Sequence, residues 1–390
     1  MFLGIFVFCS GAPAQDYKLV HEGVEYAEVT REISGQQIKM NLLRLDLGKV
    51  RIDVVHAKNS VIGTDKISAI SASRGAIAAV NAGFFRLDTS PFAGDPAGIL
   101  QVDGKLLSES NNGRIAMLIT NDQNGCVSCR LPVDQSVITF EHLNTYAEFW
   151  SQQHRFNISG IDRQLKENDA VLYTPEMGAT TPQIEFKVIE VVIENKMIKR
   201  VLETNGGTKI PAAGFVLTAA GSKQAELVAM AVAGKEGITI IGSSADRDTA
   251  SSSPSVGKMK FIDVEDIVGG VPQLIKDGKI DVTWEKEKAT RSFFETRHPR
   301  TAAAILRDGK LLLVTIDGRS ESSGGIGLAD LASLLLEFGA TDAMNLDGGG
   351  STTMYLDGKV VNHPSDKEGE RAVSDALVVT ARKKIFLKKN

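Results

Sequence analysis

The stretch that decides the fold is AAILRDGKLLLV at residues 303–314, in which Asp308-Gly309 joins two apolar runs. An Asp-Gly pair between apolar runs is a strong signal for a β-hairpin, because both residues tolerate the left-handed backbone of a tight turn. The same arrangement recurs at residues 98–107, 274–280 and 354–361. Four such hairpins favour an antiparallel sheet, since parallel strands need long crossover connections. We therefore predict an α+β fold with a largely antiparallel sheet core and a few packed helices.

The strongest helix signal lies at residues 328–338, where Leu328, Leu331, Leu335 and Phe338 recur at helical spacing before Gly339. A second helix is predicted near residues 66–73. Residues 37–42 and 50–55 alternate between apolar and polar side chains, which is typical of strands with one buried face.

Between about residues 132 and 254 the sequence has short strand-like runs and few polar clusters. This change in pattern divides the chain into three parts. This region contains short strand-like runs at residues 171–175, 188–193 and 214–218. We predict a β-rich insertion at residues 132–254, with a serine-rich junction near 243–255. The core then has a first half at residues 15–131 and a second half at residues 255–385, which carries most of the polar motifs.

Composition excludes several classes of protein. The 390 residues are 43% hydrophobic and 24% charged, as expected of a globular protein that can bury a large core. A net charge of −4 gives no basic surface for nucleic acid, so we predict no nucleic-acid partner. We also predict no transmembrane segment, and the oligomeric state is left open.

The first 14 residues, MFLGIFVFCSGAPA, combine a short apolar run with an Ala-x-Ala ending. This pattern is typical of a secretory signal peptide, although no Lys or Arg precedes the apolar run. We expect cleavage after about Ala14 and a secreted or periplasmic protein. Cleavage would leave Cys126 and Cys129, for which a local disulfide is expected, since a zinc site would need two further ligands.

Polar residues suited to chemistry are concentrated at residues 342–354, DAMNLDGGGSTTM. As a strand, this stretch would present Asn345 and Asp347 on one face. The glycines 348–350 that follow have no side chains, so their N–H groups can approach a ligand or form an anion-binding nest. A tight turn or a close strand crossing is the alternative explanation for a run of glycines.

Two more polar groups flank the hairpin of residues 303–314. Arg300 and Thr301 come just before its first strand, and Asp317 and Arg319 follow its second strand. A guanidinium is planar and permanently charged, and it can hold a phosphate through two parallel hydrogen bonds. Surface ion pairs are the alternative, but the shared position at strand ends favours a joint site.

These motifs resemble, in order and character, those of the phosphodiester glycosidase family. The resemblance covers roughly residues 50–110 and 255–382, and is carried by NAGFF at 81–85, HPRT at 298–301, DGR at 317–319 and NLDGGGS at 345–351. It implies a surface cavity lined by the matching residues and hydrolysis of a sugar-1-phosphodiester, such as one of N-acetylglucosamine, at the anomeric carbon. The predicted site residues are Asn81, Arg300, Thr301, Asp317, Arg319, Asn345, Asp347, Gly348, Gly349 and Ser351.

The resemblance also implies roles for these residues. Arg300 and Arg319, helped by the backbone N–H groups of Gly348 and Gly349, would hold the phosphate. Asp317 and Asp347 are the predicted catalytic carboxylates, as nucleophile, base or stabiliser of an oxocarbenium ion, with the assignment open. The substrate-binding residues Asn81, Asn345, Thr301 and Ser351 would contact the sugar or the phosphate. The partner would be a phosphodiester-linked extracytoplasmic glycan.

Two other functions remain open from the sequence. A protein that binds or assembles exopolysaccharide would keep the cavity without turnover. A metal-assisted phosphodiesterase would cut the P–O bond. No cofactor is expected to be required, but Asp317, Asp347 and Asn345 offer oxygen ligands that would suit Mg²⁺ or Ca²⁺.

Overall fold

The computed structural model describes residues 15–59, 61–110, 112–121, 135–151, 154–233, 238–244 and 264–382. The predicted signal peptide at residues 1–14, the pair Cys126 and Cys129, and most of the serine-rich junction lie outside the described residues.

Strands make up nearly half of the described chain. In chain order they are β1 Lys18–His21, β2 Val24–Ile33, β3 Gln36–Leu45, β4 Val50–His56, β5 Asp65–Lys66, β6 Ala78–Asn81, β7 Leu100–Val102, β8 Lys105–Ser108, β9 Arg114–Thr120, β10 Val137–Ser151, β11 His154–Ile158, β12 Gly160–Ile161, β13 Ala170–Tyr173, β14 Gln183–Glu194, β15 Met197–Gly206, β16 Gly214–Ala219, β17 Ile238–Ser244, β18 Asp266–Gly269, β19 Gln273–Lys276, β20 Lys279–Ile280, β21 Arg300–Leu306, β22 Leu311–Ile316, β23 Ala340–Asn345, β24 Met354–Leu356, β25 Lys359–Val360, β26 Ala372–Val373 and β27 Asp375–Ala381. The helices are α1 Ile67–Arg74, α2 Lys223–Ala233, α3 Arg291–Glu295 and α4 Leu328–Glu337. The predicted α+β fold with largely antiparallel sheets is confirmed.

Two sheets form the core that carries the predicted site. The larger has the strand order β1-β2-β3-β22-β21-β23-β19-β20, and the smaller has the order β25-β24-β6-β27-β4. Every neighbouring pair in both sheets is antiparallel. Both sheets mix strands from the two ends of the chain, for example β3 beside β22 and β4 beside β27. The strands that bear the motifs are therefore brought together by long-range pairing.

The inner faces of these two sheets share one apolar core. It contains Leu313 and Met344 from the larger sheet and Val80 and Leu377 from the smaller one, all with no exposed surface. Burying side chains of this size stabilises a fold by about 1.5–3 kcal/mol each. Helix α4 packs on the outer face of the larger sheet, and its Leu331 is fully buried there.

The hairpins have the turn geometry that their sequences predict. Asp103, Asp277 and Asp357 each have a positive φ and are each followed by a glycine with positive φ. At Asp308-Gly309 only the glycine has a positive φ, of 79°. The four predicted hairpins are confirmed as β7–β8, β19–β20, β21–β22 and β24–β25.

The predicted helices are confirmed, with small shifts of their ends. Helix α1 covers Ile67–Arg74, and helix α4 ends at Glu337, just before Gly339 with its φ of 91°. The short helices α2 and α3 were not predicted. Helix α2 packs by Leu227 and Met230 onto strands of the central segment, and this tertiary contact stabilises a helix with only a moderate sequence signal.

The central segment is rich in strands, and the predicted runs at residues 171–175, 188–193 and 214–218 overlap β13, β14 and β16. Its sheet has the order β12-β13-β16-β14-β15, in which only the short pair β12 and β13 is parallel. The first half of β10 instead pairs with β9 and extends a sheet built from the first half of the chain and β18. The domain boundaries given above stay a prediction. None of the helices in the described ranges is long and apolar enough to cross a membrane.

Candidate active site at the ends of β6 and β23

Asp347 lies where the ends of two strands from different parts of the chain meet. Strand β23 ends at Asn345, and strand β6 of the other core sheet ends at Asn81. The N–H of Asp347 donates to the carbonyl of Ala82 over 2.9 Å, and Asn81 Nδ2 donates to the carbonyl of Asp347 over 2.7 Å. These two bonds fix the backbone of Asp347 on both sides, so its carboxyl group is held by the fold.

Asn81 and Thr301 are part of the buried frame beneath Asp347. Asn81 Oδ1 accepts hydrogen bonds from Thr301 Oγ1, over 2.7 Å, and from the N–H of Thr353, over 3.1 Å. Their exposed fractions are 1% for Asn81 and 0% for Thr301. The structure places both side chains behind the site, where they join β6 to β21, and the predicted contacts with substrate stay a prediction.

Asn345 and Ser351 are also fully buried, but each has an unpaired oxygen. Asn345 Nδ2 donates to the carbonyls of Val271 and Leu346, whereas among the described residues Asn345 Oδ1 and Ser351 Oγ have no hydrogen-bond partner within normal distance. The Ser351 hydroxyl nevertheless lies near enough to Asp347 to affect its carboxyl group. A buried polar atom without a partner is costly, so such atoms need an explanation such as an ordered water or a ligand. Both oxygens belong to the segment that the sequence analysis singled out.

The environment of Asp347 favours its protonated form. Burial raises the pKa of Asp347 to about 7, and the charge of Asp375 also acts to raise this pKa. The Ser351 hydroxyl, the Gly348 N–H and the positive charge of Arg371 act to lower the pKa. The Gly348 N–H donates to Asp347 Oδ1 over 2.9 Å. A carboxyl group that titrates near neutral pH can give or take a proton during a reaction.

Arg300 is placed differently from what its predicted phosphate-binding role requires. Its side chain is 1% exposed and donates to the carbonyls of Phe293, Thr296 and Ile326 over 2.8 to 3.3 Å. The guanidinium also lies 4.8 Å from the centre of the Phe293 ring. Burial lowers the pKa of Arg300 to about 10. These contacts give Arg300 a framework role, and its predicted contact with a phosphate stays a prediction.

Arg319 is exposed and lies above the glycine run. An ideal Cβ added to Gly349 would come within 3.0 Å of Arg319 Nη2. The side-chain contacts of Arg319 are long, at 3.4 Å from Nη2 to His298 Nδ1 and 3.5 Å from Nη1 to Ser365 Oγ. Contacts of this length are weak, so the guanidinium keeps most of its donors for an anion. Burial, Arg300 and Arg319 together lower the pKa of His298, which favours the neutral imidazole.

The second predicted carboxylate, Asp317, is 5% exposed and follows strand β22. Its Oδ1 accepts hydrogen bonds from Asn362 Nδ2, over 3.2 Å, and from the N–H of His363, over 3.0 Å. Asn362 Nδ2 also donates to the carbonyl of Thr352 over 3.0 Å. Burial raises the pKa of Asp317, while these two hydrogen bonds act to lower it. Asn362 therefore links Asp317 to the segment that follows the glycines.

Four residues at the site were missed in the sequence. One is Asn362, which lies in the polar run that follows the last Asp-Gly hairpin. Arg371 and Asp366 form a two-bond ion pair, and a Cβ on Gly350 would clash with it. Asp375 is 1% exposed and begins strand β27, directly before the apolar residues 376–379. A charged residue directly before a buried apolar run is a sequence signal that would have drawn attention to Asp375.

We predict that Gly349→Ala weakens substrate binding as well as stability. Gly349 has a φ of 62°, which costs an alanine about 1 kcal/mol, and the new methyl group would press on Arg319 Nη2. Gly278→Ala is the matched control, because Gly278 has a φ of 71° and no atom within 4 Å of its added Cβ. Both variants should lose stability in thermal unfolding, but only Gly349→Ala should raise KM. Equal KM values in the two variants would show that the glycine run serves only as a turn.

Within the residues that the structure covers, no group of three or more His, Cys, Asp or Glu side chains is arranged to hold a metal ion.

The site lies where two antiparallel sheets meet, and it combines the Asp347 carboxyl group, the exposed Arg319 and the glycine run. This combination is of a class suited to anionic substrates. The profile of the phosphodiester glycosidase family matches residues 187–380. Residues 187–380 therefore match a phosphodiester glycosidase domain, which confirms the resemblance stated above. The match begins inside the segment that we predicted as an insertion.

Three similar proteins illustrate the relationship. The N-acetylglucosamine-1-phosphodiester alpha-N-acetylglucosaminidase of Bos taurus is 37% identical over 109 residues, which is 26% of this chain and 20% of the bovine protein. The SPbeta prophage-derived uncharacterized protein YomE of Bacillus subtilis is 40% identical over 107 residues, which is 27% of this chain and 16% of YomE. A hypothetical protein from Synechocystis has a similar fold, with a TM-score of 0.76 at 22% identity over 95% of this chain and 64% of that one.

Proposed function

We propose that this protein is a hydrolase that cleaves a sugar-1-phosphodiester at the anomeric carbon, releasing free sugar and a phosphomonoester. The family of residues 187–380 supports hydrolysis of the phosphodiester glycosidase type. An N-acetylglucosamine-1-phosphodiester is the proposed substrate, because a relative at 37% identity is named for that activity. The apolar run and Ala-x-Ala ending of residues 1–14 support action on glycans outside the cytoplasm.

One observation carries this proposal: Asp347 and Arg319 flank the same glycine loop. Gly348 donates to the Asp347 carboxylate, and Gly349 lies against the Arg319 guanidinium. No ion pair with Asp or Glu is found for Arg319 in the part of the chain that the structure describes. A phosphate would supply that missing negative charge, and its sugar carbon would then lie toward Asp347.

The environments of the two aspartates suggest different roles. Asp347, with its pKa raised to about 7, is the group that donates a proton to the departing phosphate oxygen. Asp317 has two hydrogen-bond donors on one oxygen, so it is the better candidate for the charged carboxylate that stabilises a positive anomeric carbon. Arg319 and the glycine N–H groups would stabilise the charge on the leaving phosphate. A water molecule would then attack the anomeric carbon and give a proton to the Asp347 carboxylate, which forms the free sugar and restores the acid.

The test uses protein isolated from the extracytoplasmic fraction of its host, where we expect mass spectrometry to find an N-terminus near Gln15. It is incubated with an N-acetylglucosamine-1-phosphodiester, with and without a chelator, and the products are identified. Free sugar plus phosphomonoester, unaffected by the chelator, is the expected result. Sugar-1-phosphate would instead indicate P–O cleavage. Binding without turnover would indicate a glycan-binding protein.

A further inference from the structure

Asp375 is a buried carboxylate that the proposed reaction does not use. It begins strand β27, is 1% exposed, and uses both carboxylate oxygens as acceptors. Oδ1 accepts the N–H of Gly83 over 2.5 Å, and Oδ2 accepts the hydroxyl of Ser374 over 2.5 Å. A Cβ on Gly83 would lie only 3.1 Å from Oδ1 and 3.3 Å from Oδ2. The carboxylate is thus closely fitted to the backbone that follows β6.

A short chain of hydrogen bonds connects Asp375 to Asp347. The carbonyl of Asp375 accepts the N–H of Ala82 over 3.3 Å, and its side chain accepts the next N–H, that of Gly83. Asp375 therefore accepts hydrogen bonds from the N–H groups of both Ala82 and Gly83. The carbonyl of Ala82 in turn accepts the N–H of Asp347 over 2.9 Å.

His56 lies on the other side of Asp375 and completes the arrangement. The two residues are paired directly across strands β4 and β27. His56 is 4% exposed, its Nδ1 lies 2.9 Å from the carbonyl of Ala57, and its Nε2 has no hydrogen-bond partner among the residues that the structure describes. Burial lowers the pKa of His56, while the charge of Asp375 acts to raise it. Burial raises the pKa of Asp375, and Ser374, His56 and Gly83 act in the opposite direction.

We propose that Asp375, backed by His56, is a positioning residue that fixes the Ala82–Gly83 segment and so holds the carboxyl group of Asp347 in place. This inference rests on the proposed function of Asp347. In this proposal Asp375 acts through the backbone of Ala82 and Gly83. Its charge lies behind Asp347, whose other charged neighbour is Arg371, bound in turn to Asp366.

The experiment compares Asp375→Asn, Asp375→Leu and Ser374→Ala. An asparagine can still accept from Gly83 and donate to Ser374 Oγ, whereas a leucine can do neither. We expect Asp375→Leu to lower kcat by about tenfold or more with little change in KM, because only the transition state needs the carboxyl group in its correct place. Ser374→Ala should lower kcat less, and Asp375→Asn should restore kcat to within a few fold.

A pH profile separates positioning from a purely structural role. Asp375→Leu releases the Ala82–Gly83 segment, so Asp347 should lose part of its buried environment and the limb of the kcat profile that belongs to Asp347 should move to lower pH. Asp375→Asn, which can keep the bond to Gly83, should move the limb less. The control is Asp266→Asn, since Asp266 is also 1% exposed and also accepts two backbone N–H groups, those of Val54 and Asp103. It should lower stability without moving the limb or changing the ratio of kcat to KM.

The inference and the proposed function can fail separately. A wild-type protein that turns over its substrate, with Asp375→Leu and Asp375→Asn unchanged in kcat and pH profile, would overturn the inference alone. If Asp375→Leu fails to fold, the kcat values of Ser374→Ala and Asp375→Asn decide whether Asp375 has the positioning role. If the wild type has no turnover, the proposed function fails, and ¹³C NMR titration of the Asp347 carboxyl group still tests the inference. A lower pKa of Asp347 in Asp375→Leu than in Asp375→Asn supports it, and equal pKa values in the two variants overturn it.

Discussion

Asp347→Asn is expected to lower kcat by about 10²- to 10⁴-fold while substrate still binds, because the amide keeps the shape of the side chain but cannot donate the proton. The N–H and carbonyl of Asp347 that bond Ala82 and Asn81 belong to the backbone, so the substitution leaves them in place. Steady-state kinetics and a binding measurement with the same phosphodiester would separate kcat from affinity.

The pKa of Asp347 also predicts the direction in which activity changes with pH. With a pKa of about 7, Asp347 is mainly protonated below pH 7 and mainly charged above it. Activity that depends on its proton should therefore fall as the pH rises through 7, and the residual activity of Asp347→Asn should lack this limb. The control is Asp342→Asn on strand β23, which leads to Asp347, because Asp342 forms an ion pair with Lys276. A normal kcat in Asp347→Asn would transfer the catalytic role to Asp317.

Arg319→Lys is the variant with the second largest expected effect, a loss of about 10- to 100-fold in kcat/KM with the fold intact. Lysine keeps the positive charge but not the planar pair of donors that can grip a phosphate. Arg319 is exposed, and its contacts with His298 and Ser365 are long, so the fold depends little on its side chain. Inhibition by the phosphomonoester product should weaken in parallel with kcat/KM.

Arg300→Lys should have the opposite profile, because Arg300 is tied to the fold. Its contacts to three backbone carbonyls and to the Phe293 ring cannot be reproduced by an ammonium group, so a loss of about 2–4 kcal/mol in the free energy of unfolding is expected. Arg291→Lys, at an exposed ion pair with Glu295, is the control for both variants. If Arg319→Lys turned over substrate at the normal rate, the phosphate-binding role of Arg319 would be wrong.

The fold was largely predictable because its signals are local. Each Asp-Gly pair needs only its own two residues to form a tight turn, and the flanking apolar runs then pair as neighbours. Helix α4 likewise shows its buried face in the spacing of Leu328, Leu331 and Leu335. Helix α2 was missed because much of its stability comes from packing onto other strands, which no local pattern records.

The site was only partly predictable from the same sequence. The polar residues around Asp347 stood out at strand ends, and the structure brings Asn81, Thr301 and Asp347 into one hydrogen-bonded group. From the sequence, Arg300 and Arg319 were predicted to be equivalent phosphate ligands. Residue type shows the charge of a side chain but not where the side chain points. The structure separates them: one guanidinium is buried against carbonyls and the other is exposed above Gly349.

By itself, then, the sequence determined the antiparallel strands, their turns and the set of polar residues available for chemistry, because turn formation and hydrophobic alternation act between neighbours in the chain. Tertiary structure alone decided which of these residues face solvent, and it placed Asp375 and His56 behind Asp347. The physical reason is that burial and pairing between β4, β6 and β27 join residues hundreds of positions apart. Desolvation and hydrogen bonding in that assembled environment, which no local pattern encodes, set the pKa of Asp347.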